Sequence, residues 1–284
     1  MARLGGLIRL THPFPCLLDG LVVGVVAAIA GAEPITALRL AIGMTALQAS
    51  IGSLNDVVDA PRDAGRKPGK PIPAGLVSRA AALSVIVGAG VLGVALSIPS
   101  GAPTTALAFV VLGIGYAYDL GFKGTAWSWL PFAVGIPLLP VYGWLGTAGH
   151  LPGAFAVLLP AAVLAGAGLA ISNALADVER DAAAGTDSVA TRLGSGRAWA
   201  IHAILLAMVT GAAWLTLGVS GPGDGAVSGA VVLLGCLAAT ALIGAGIALS
   251  RRGDPARRER AWELEAVGVG VLAAAWLAGV RLGG

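Results

Sequence analysis

Apolar stretches of about 20 residues recur along the whole chain, and this recurrence restricts the fold more than any single motif does. Nine separate at polar interruptions, approximately 14–33, 35–54, 80–98, 103–120, 127–147, 152–176, 198–219, 226–249 and 261–281. Each suits a helix through a hydrocarbon core about 30 Å thick. The composition agrees: 57% of the 284 residues are hydrophobic and 12% charged, the mean hydropathy is +0.86, and a soluble domain carries about twice that charge. The 43 glycines, with little polar low-complexity sequence around them, fit closely packed transmembrane helices and exclude disorder, collagen and a secreted disulfide scaffold. Cys16 and Cys236 stand alone, with no CxxC or Cys/His cluster, so they read as packing thiols and indicate neither zinc nor iron–sulfur. A net charge of +3, without a basic cluster on a soluble module, excludes a nucleic-acid partner. Asp19 interrupts the first stretch and no small-residue cleavage site follows, so that stretch reads as a span rather than a removed signal.

Basic residues orient the spans, since short cytoplasmic loops keep Lys and Arg. With the N-terminus in the cytoplasm, Arg3 and Arg9 lie inside, as do Arg62, Arg66, Lys67, Lys70 and Arg79 after the second span and Lys123 after the fourth. Arg180, Arg192 and Arg197 follow the sixth, and Arg251, Arg252, Arg257, Arg258 and Arg260 follow the eighth. Only Arg39 and Arg281 remain outside, and nine spans place Gly284 outside as well. The last basic cluster reads as topology and anionic-lipid contact.

Most carboxylates gather at the cytoplasmic ends of spans two and six. Asn55, Asp59 and Asp63 recur every four residues, and so do Asn173, Asp177 and Asp181. On a continuing helix each set lines one face, although Pro61 predicts that Asp63 projects from a bent or broken turn. One row per half of the chain suggests two pseudo-repeated halves, roughly 10–125 and 126–250, with a last helix at 261–281, and a repeat of this kind would turn the rows toward each other. Like charges stacked at a membrane boundary repel, so a cation belongs with them. All-oxygen ligands suit Mg²⁺ or Ca²⁺, and Mg²⁺ takes one or two carboxylates with substrate phosphates completing its shell. Diphosphate fits the remaining positions. Arg66, Lys67 and Lys70, in a Pro/Gly-rich loop after the first row, and Lys123, after span four, suit an anionic leaving group.

These residues resemble the UbiA superfamily of intramembrane prenyltransferases. The likeness rests on Asn55-Asp56-x-x-Asp59-x-x-x-Asp63, then Arg66 and the Lys70-Pro71-Ile72-Pro73-x-Gly75 tail, on Asp177-x-x-x-Asp181, and on Tyr118 to Lys123 ahead of Ser128-Trp129-Leu130-Pro131. It covers nearly the whole chain. It implies an all-α, polytopic bundle of nine transmembrane helices around a central cavity open to lipid, with a prenyl diphosphate held through Mg²⁺ at the cytoplasmic end. Its metal roles fall on Asn55, Asp59, Asp63, Asn173, Asp177 and Asp181, with Asn173 also toward the substrate. Its diphosphate contacts fall on Arg66 and Lys123, then Lys70 and Tyr118. Lys70 stands where Arg is common, which keeps the charge and loses the bidentate fork.

In such a site departure of diphosphate builds negative charge that metal and cations stabilise, and the water-poor cavity protects the allylic cation until an acceptor attacks it. Asp19 and Gln48 are polar positions inside apolar spans, expected on the acceptor side: Gln48 to orient the acceptor, Asp19 to take the released proton. A carboxylated aromatic would need a buried Arg or Lys deep in the cavity, and Arg39, about 24 Å up a helix from Asn55, sits near the outer face. The expected acceptor is therefore a hydrophobic aromatic or quinone precursor, not specifically a hydroxybenzoate. A membrane terpene cyclase, a lipid-linked phosphoribosyl transferase and an ion-coupled transporter are the alternatives, the last disfavoured because both rows lie at one boundary. Prenyl chain length and oligomeric state are not legible in the sequence.

Overall fold

The computed structural model describes residues 2–65, 67, 69–220, 229–251 and 254–280. Among these every regular element is helical. In chain order they are α1 (Ala2–Leu10), α2 (Pro13–Ile29), α3 (Pro34–Asp63), α4 (Arg79–Ser97), α5 (Ala102–Ala117), α6 (Leu130–Ala148), α7 (Phe155–Ala176), α8 (Val178–Ala183), α9 (Val189–Leu193), α10 (Ser195–Ser220), α11 (Gly229–Ser250) and α12 (Pro255–Gly279). A 3₁₀ turn (Ile98–Ser100) follows α4 and a π turn (Tyr118–Phe122) follows α5. Among the described residues eight helices are long and apolar enough to cross a membrane, and nine such spans result when α1 and α2, bent by 55° at their junction, count as one. The chain is thus an all-α polytopic membrane protein.

Three ends differ from expectation. The helix of span two does not break at Pro61 but runs on to Asp63. Proline withdraws its own N–H from the preceding turn but keeps a helical φ, so the chain continues as helix through Arg62 and Asp63. The first span stops at Ile29 rather than near residue 33. The last begins at Pro255, because Asp254 caps it by accepting from the Arg257 N–H at 2.9 Å and Pro255 follows with φ already set. Arg257, Arg258 and Arg260 are therefore helical rather than in a loop. The gap expected between the stretches at 198–219 and 226–249, together with Arg66, Arg252, Arg281 and Gly284, falls wholly or partly outside the described residues.

The chain divides into two compact units, residues 1–121 with 138–150 and residues 122–137 with 151–284. In the first, α3 is the central element, with α2, α4 and α5 against it. Close approach is set by small residues: a Cβ at Gly115 of α5 would come within 2.3 Å of Ile51. Polar side chains lock the same contacts, since Ser50 donates to the Ile86 carbonyl at 2.6 Å and pairs with the Tyr116 hydroxyl at 2.7 Å. In the second unit α7 packs on α10 and α12, and α11 on α12. A fully buried pair lies there, His202 Nε2 at 3.3 Å from Glu265 Oε1. Glu265 fits against Gly246, where a Cβ would stand 2.5 Å from Glu265 Cγ and 2.8 Å from the Ala261 carbonyl.

Candidate active site

The first row sits on one continuous helix. Because α3 persists through Pro61, Asn55, Asp59 and Asp63 stay at four-residue intervals along one face. Asp59 and Asp63 are buried and Asn55 is half-buried. The buried Asp63 Oδ2 has no hydrogen-bond partner, and Lys67 Nζ lies 3.9 Å from the other oxygen of that carboxylate.

Beside the row stand groups that the spacing did not single out. Asp56, 2% exposed, accepts from His12 Nε2 at 2.8 Å and from Lys70 Nζ, and Lys70 Nζ is 3.3 Å from the same imidazole nitrogen. His12 occupies the α1–α2 junction and is, among the described residues, the only non-glycine with positive φ, at 52°. Lys70, expected on diphosphate, is engaged with Asp56. Asn55 Nδ2 donates to the buried Asp119 Oδ1 at 2.7 Å. Tyr118, at the start of the π turn, is half-buried.

Farther along the same unit, Gln48 is half-buried and its Nε2 donates to Met44 Sδ at 4.0 Å. Asp19 is half-buried on α2 and makes no hydrogen bond or ion pair within the described residues. Arg39 donates to the Leu96 carbonyl and to Ser100 Oγ at 2.8 Å, so its guanidinium ties α3 to the turn after α4.

The second row is built differently. Asn173 is on α7, Asp177 caps the end of that helix with φ −107° and ψ 2°, and Asp181 is on α8. The two helices meet at the middle residue of the row. Arg180 pairs with Asp177. Arg258, expected to serve topology alone, donates to the Leu175 carbonyl at 3.2 Å and to Glu179 Oε1 at 2.6 Å. Burial pushes the Glu179 carboxyl up, but the hydrogen bond and charge of Arg258 outweigh it and hold the group below the ordinary glutamate range. Lys123, in the same unit, is half-buried after the π turn.

Among the described residues no three His, Cys, Asp or Glu side chains form a ready-made metal cage. Oxygen rows with an orphaned buried carboxylate oxygen fit Mg²⁺ instead, which keeps few protein ligands and relies on substrate phosphates.

Oxygen-rich rows of this kind on a polytopic helical scaffold suit a membrane-embedded, metal-assisted enzyme. Residues 18–277 match the UbiA prenyltransferase family, and the chain belongs to that family and is a prenyltransferase. It is 31% identical over 210 residues to the digeranylgeranylglyceryl phosphate synthase of Methanopyrus kandleri, covering 72% of this chain and 76% of that one. A UbiA homologue from Aeropyrum pernix in its apo form superposes with TM-score 0.74 at 16% identity, over 92% of this chain and 96% of the other. One from Archaeoglobus fulgidus bound to GPP and Mg²⁺ superposes with TM-score 0.69 at 18% identity, over 95% and 99%. These structural likenesses establish the fold.

Proposed function

We propose that this prenyltransferase moves a prenyl group from a (poly)prenyl diphosphate to a hydrophobic acceptor, an aromatic or quinone precursor, at the cytoplasmic side of the membrane. The observation that carries the reading is the first row: Asn55, Asp59 and Asp63 in register on one helix, with an orphaned carboxylate oxygen at Asp63. Asn55, Asp59 and Asp63, with Asn173, Asp177 and Asp181, would hold Mg²⁺, and the Archaeoglobus homologue solved with GPP and Mg²⁺ supports this. Held there, it would supply positive charge to offset that of the departing diphosphate.

The chain's own groups do the rest. Lys123 and Arg66 contact diphosphate oxygens as the allylic C–O bond breaks and its electron pair leaves with the phosphate. The apolar spans keep water from the allylic cation. The acceptor attacks it to form the new bond, with Gln48 orienting the acceptor and Asp19 taking the proton it releases. Asp19 suits the part because it makes no competing hydrogen bond or ion pair within the described residues. A carboxylated acceptor is disfavoured because Arg39 already serves Leu96 and Ser100.

A second reading, transfer to a prenylated glyceryl phosphate, is favoured by the likeness to the Methanopyrus synthase. Purified protein given prenyl diphosphates with a neutral phenol or quinol, with a prenyl glyceryl phosphate, or with no acceptor separates the readings. Prenylated phenol supports the first and a doubly prenylated glyceryl phosphate the second. Diphosphate release with a cyclised hydrocarbon and no acceptor would overturn both. For the orientation, a C-terminal reporter that fluoresces only in the cytoplasm should stay dark, and a bright fusion would overturn the nine-span topology.

A further inference from the structure

A metal-binding asparagine poses a problem that a carboxylate does not. Its carbonyl oxygen is a ligand, its amide nitrogen is not, and the two exchange places on a half-turn of the terminal torsion. Asn55 is placed so that this choice is already made. Its Nδ2 donates to Asp119 Oδ1 at 2.7 Å. An aspartate carboxylate accepts and does not donate, so the amide nitrogen faces Asp119 and the Asn55 oxygen turns away from it.

Asp119 is itself held firmly. It is 4% exposed and is the second residue of the π turn at Tyr118–Phe122, a departure from α geometry that re-aims the side chains after it. The helix leading into that turn is seated on α3 by the Gly115–Ile51 approach and the Tyr116–Ser50 hydrogen bond. The partner of Asn55 is thus fixed by the same two helices whose contact brings it there.

We propose that Asp119 is a positioning residue that sets the flip of the Asn55 amide and presents its oxygen, not its nitrogen, to the metal. This rests on the reading of the first row as a metal site. It acts through Asn55, as outer-shell carboxylates orient metal-binding side chains elsewhere.

The test measures metal binding directly. The full-length protein in detergent is titrated with Mn²⁺ in the presence of inorganic diphosphate, and free Mn²⁺ is read by electron paramagnetic resonance. Asp119→Leu should weaken Mn²⁺ binding toward the upper end of about 10–100-fold, with an unchanged unfolding temperature, and Asp119→Asn, whose amide permits either flip, by about 10-fold. Combining Asp119→Leu with Asn55→Ala should add little to Asn55→Ala alone, since both act on one ligand. If both Asp119 variants bind like wild type while Asn55→Ala is weakened, the positioning role is wrong and the metal row stands. If Asn55→Ala also binds like wild type, the row reading fails and the inference with it. Should Asp119→Leu not fold, Asp119→Asn decides alone: wild-type affinity overturns the proposal.

Discussion

His12 Nε2 stands 2.8 Å from Asp56 Oδ1, joining the break between the first two helices to the residue that follows Asn55. The imidazole is held there by a left-handed backbone, at φ 52°, that a non-glycine residue adopts at a cost. His12→Gly relieves the backbone and removes the imidazole, whereas His12→Ala removes the imidazole and keeps the strain. If the side-chain bond to the buried Asp56 is what matters, both should lower prenyl-transfer kcat/KM about 10-fold, the value of one hydrogen bond to a charged group. Recovery in His12→Gly alone would assign the effect to the backbone.

Loss of the proposed metal ligands should be far more severe. Asp59→Ala and Asp177→Ala should each lower turnover by about 10²–10³-fold while the unfolding temperature stays near that of wild type. EDTA should silence the wild-type enzyme and added Mg²⁺ restore it. Isothermal titration of Mg²⁺ in the presence of diphosphate should show the same losses. Normal turnover in either folded variant, or indifference to EDTA, would remove the two-row metal site.

Arg258 supplies the Leu175 carbonyl with a donor where α7 ends, a group that the helix itself leaves unpaired. Arg258→Ala should therefore loosen the end of α7 before it affects the rest of the protein. Hydrogen–deuterium exchange over residues 172–183 should accelerate, by about 10-fold for a lost hydrogen bond of ordinary strength, with other helices unchanged. Uniform protection across that segment would mean that the contact is dispensable.

The buried pair of the second unit should respond asymmetrically. His202→Leu leaves the Glu265 carboxyl without its polar neighbour among apolar helices, whereas Glu265→Leu leaves only the less polar imidazole there. The first should lower the unfolding temperature in detergent more than the second, within the range of about 3–5 kcal/mol for breaking a buried pair. Gly246→Ala should also destabilise, because its Cβ meets the Ala261 carbonyl as well as Glu265. Equal melting of His202→Leu and Glu265→Leu would contradict this account.

The two acidic rows were legible because carboxylates are conspicuous in a chain with so little charge, and their four-residue spacing reads directly as a helix face. What the spacing did not contain is tertiary. His12 and Asp56 are 44 residues apart, and no local period links a junction residue to a helix it never adjoins in sequence. Asp119 lay between Tyr118 and Lys123, which both drew attention, yet its partner is revealed only by the seating of α5 on α3. Arg258 was absorbed into a cationic cluster that topology alone accounts for, and its selective contact with Leu175 depends on where α7 stops. Pro61 misled because proline withdraws one bond to the preceding turn without forbidding helical dihedrals, and α3 runs on through Arg62 to Asp63.

The interruption at Asp177 makes the second row mechanically unlike the first. Three side chains on one unbroken helix move only as a block. Where the middle member of a trio occupies the joint between two helices, a small change in one φ,ψ pair swings Asp181 while Asn173 stays in place. The second trio is thus jointed where the first is rigid, and the spacing of its outer members can change without any change in the helix that carries Asn173.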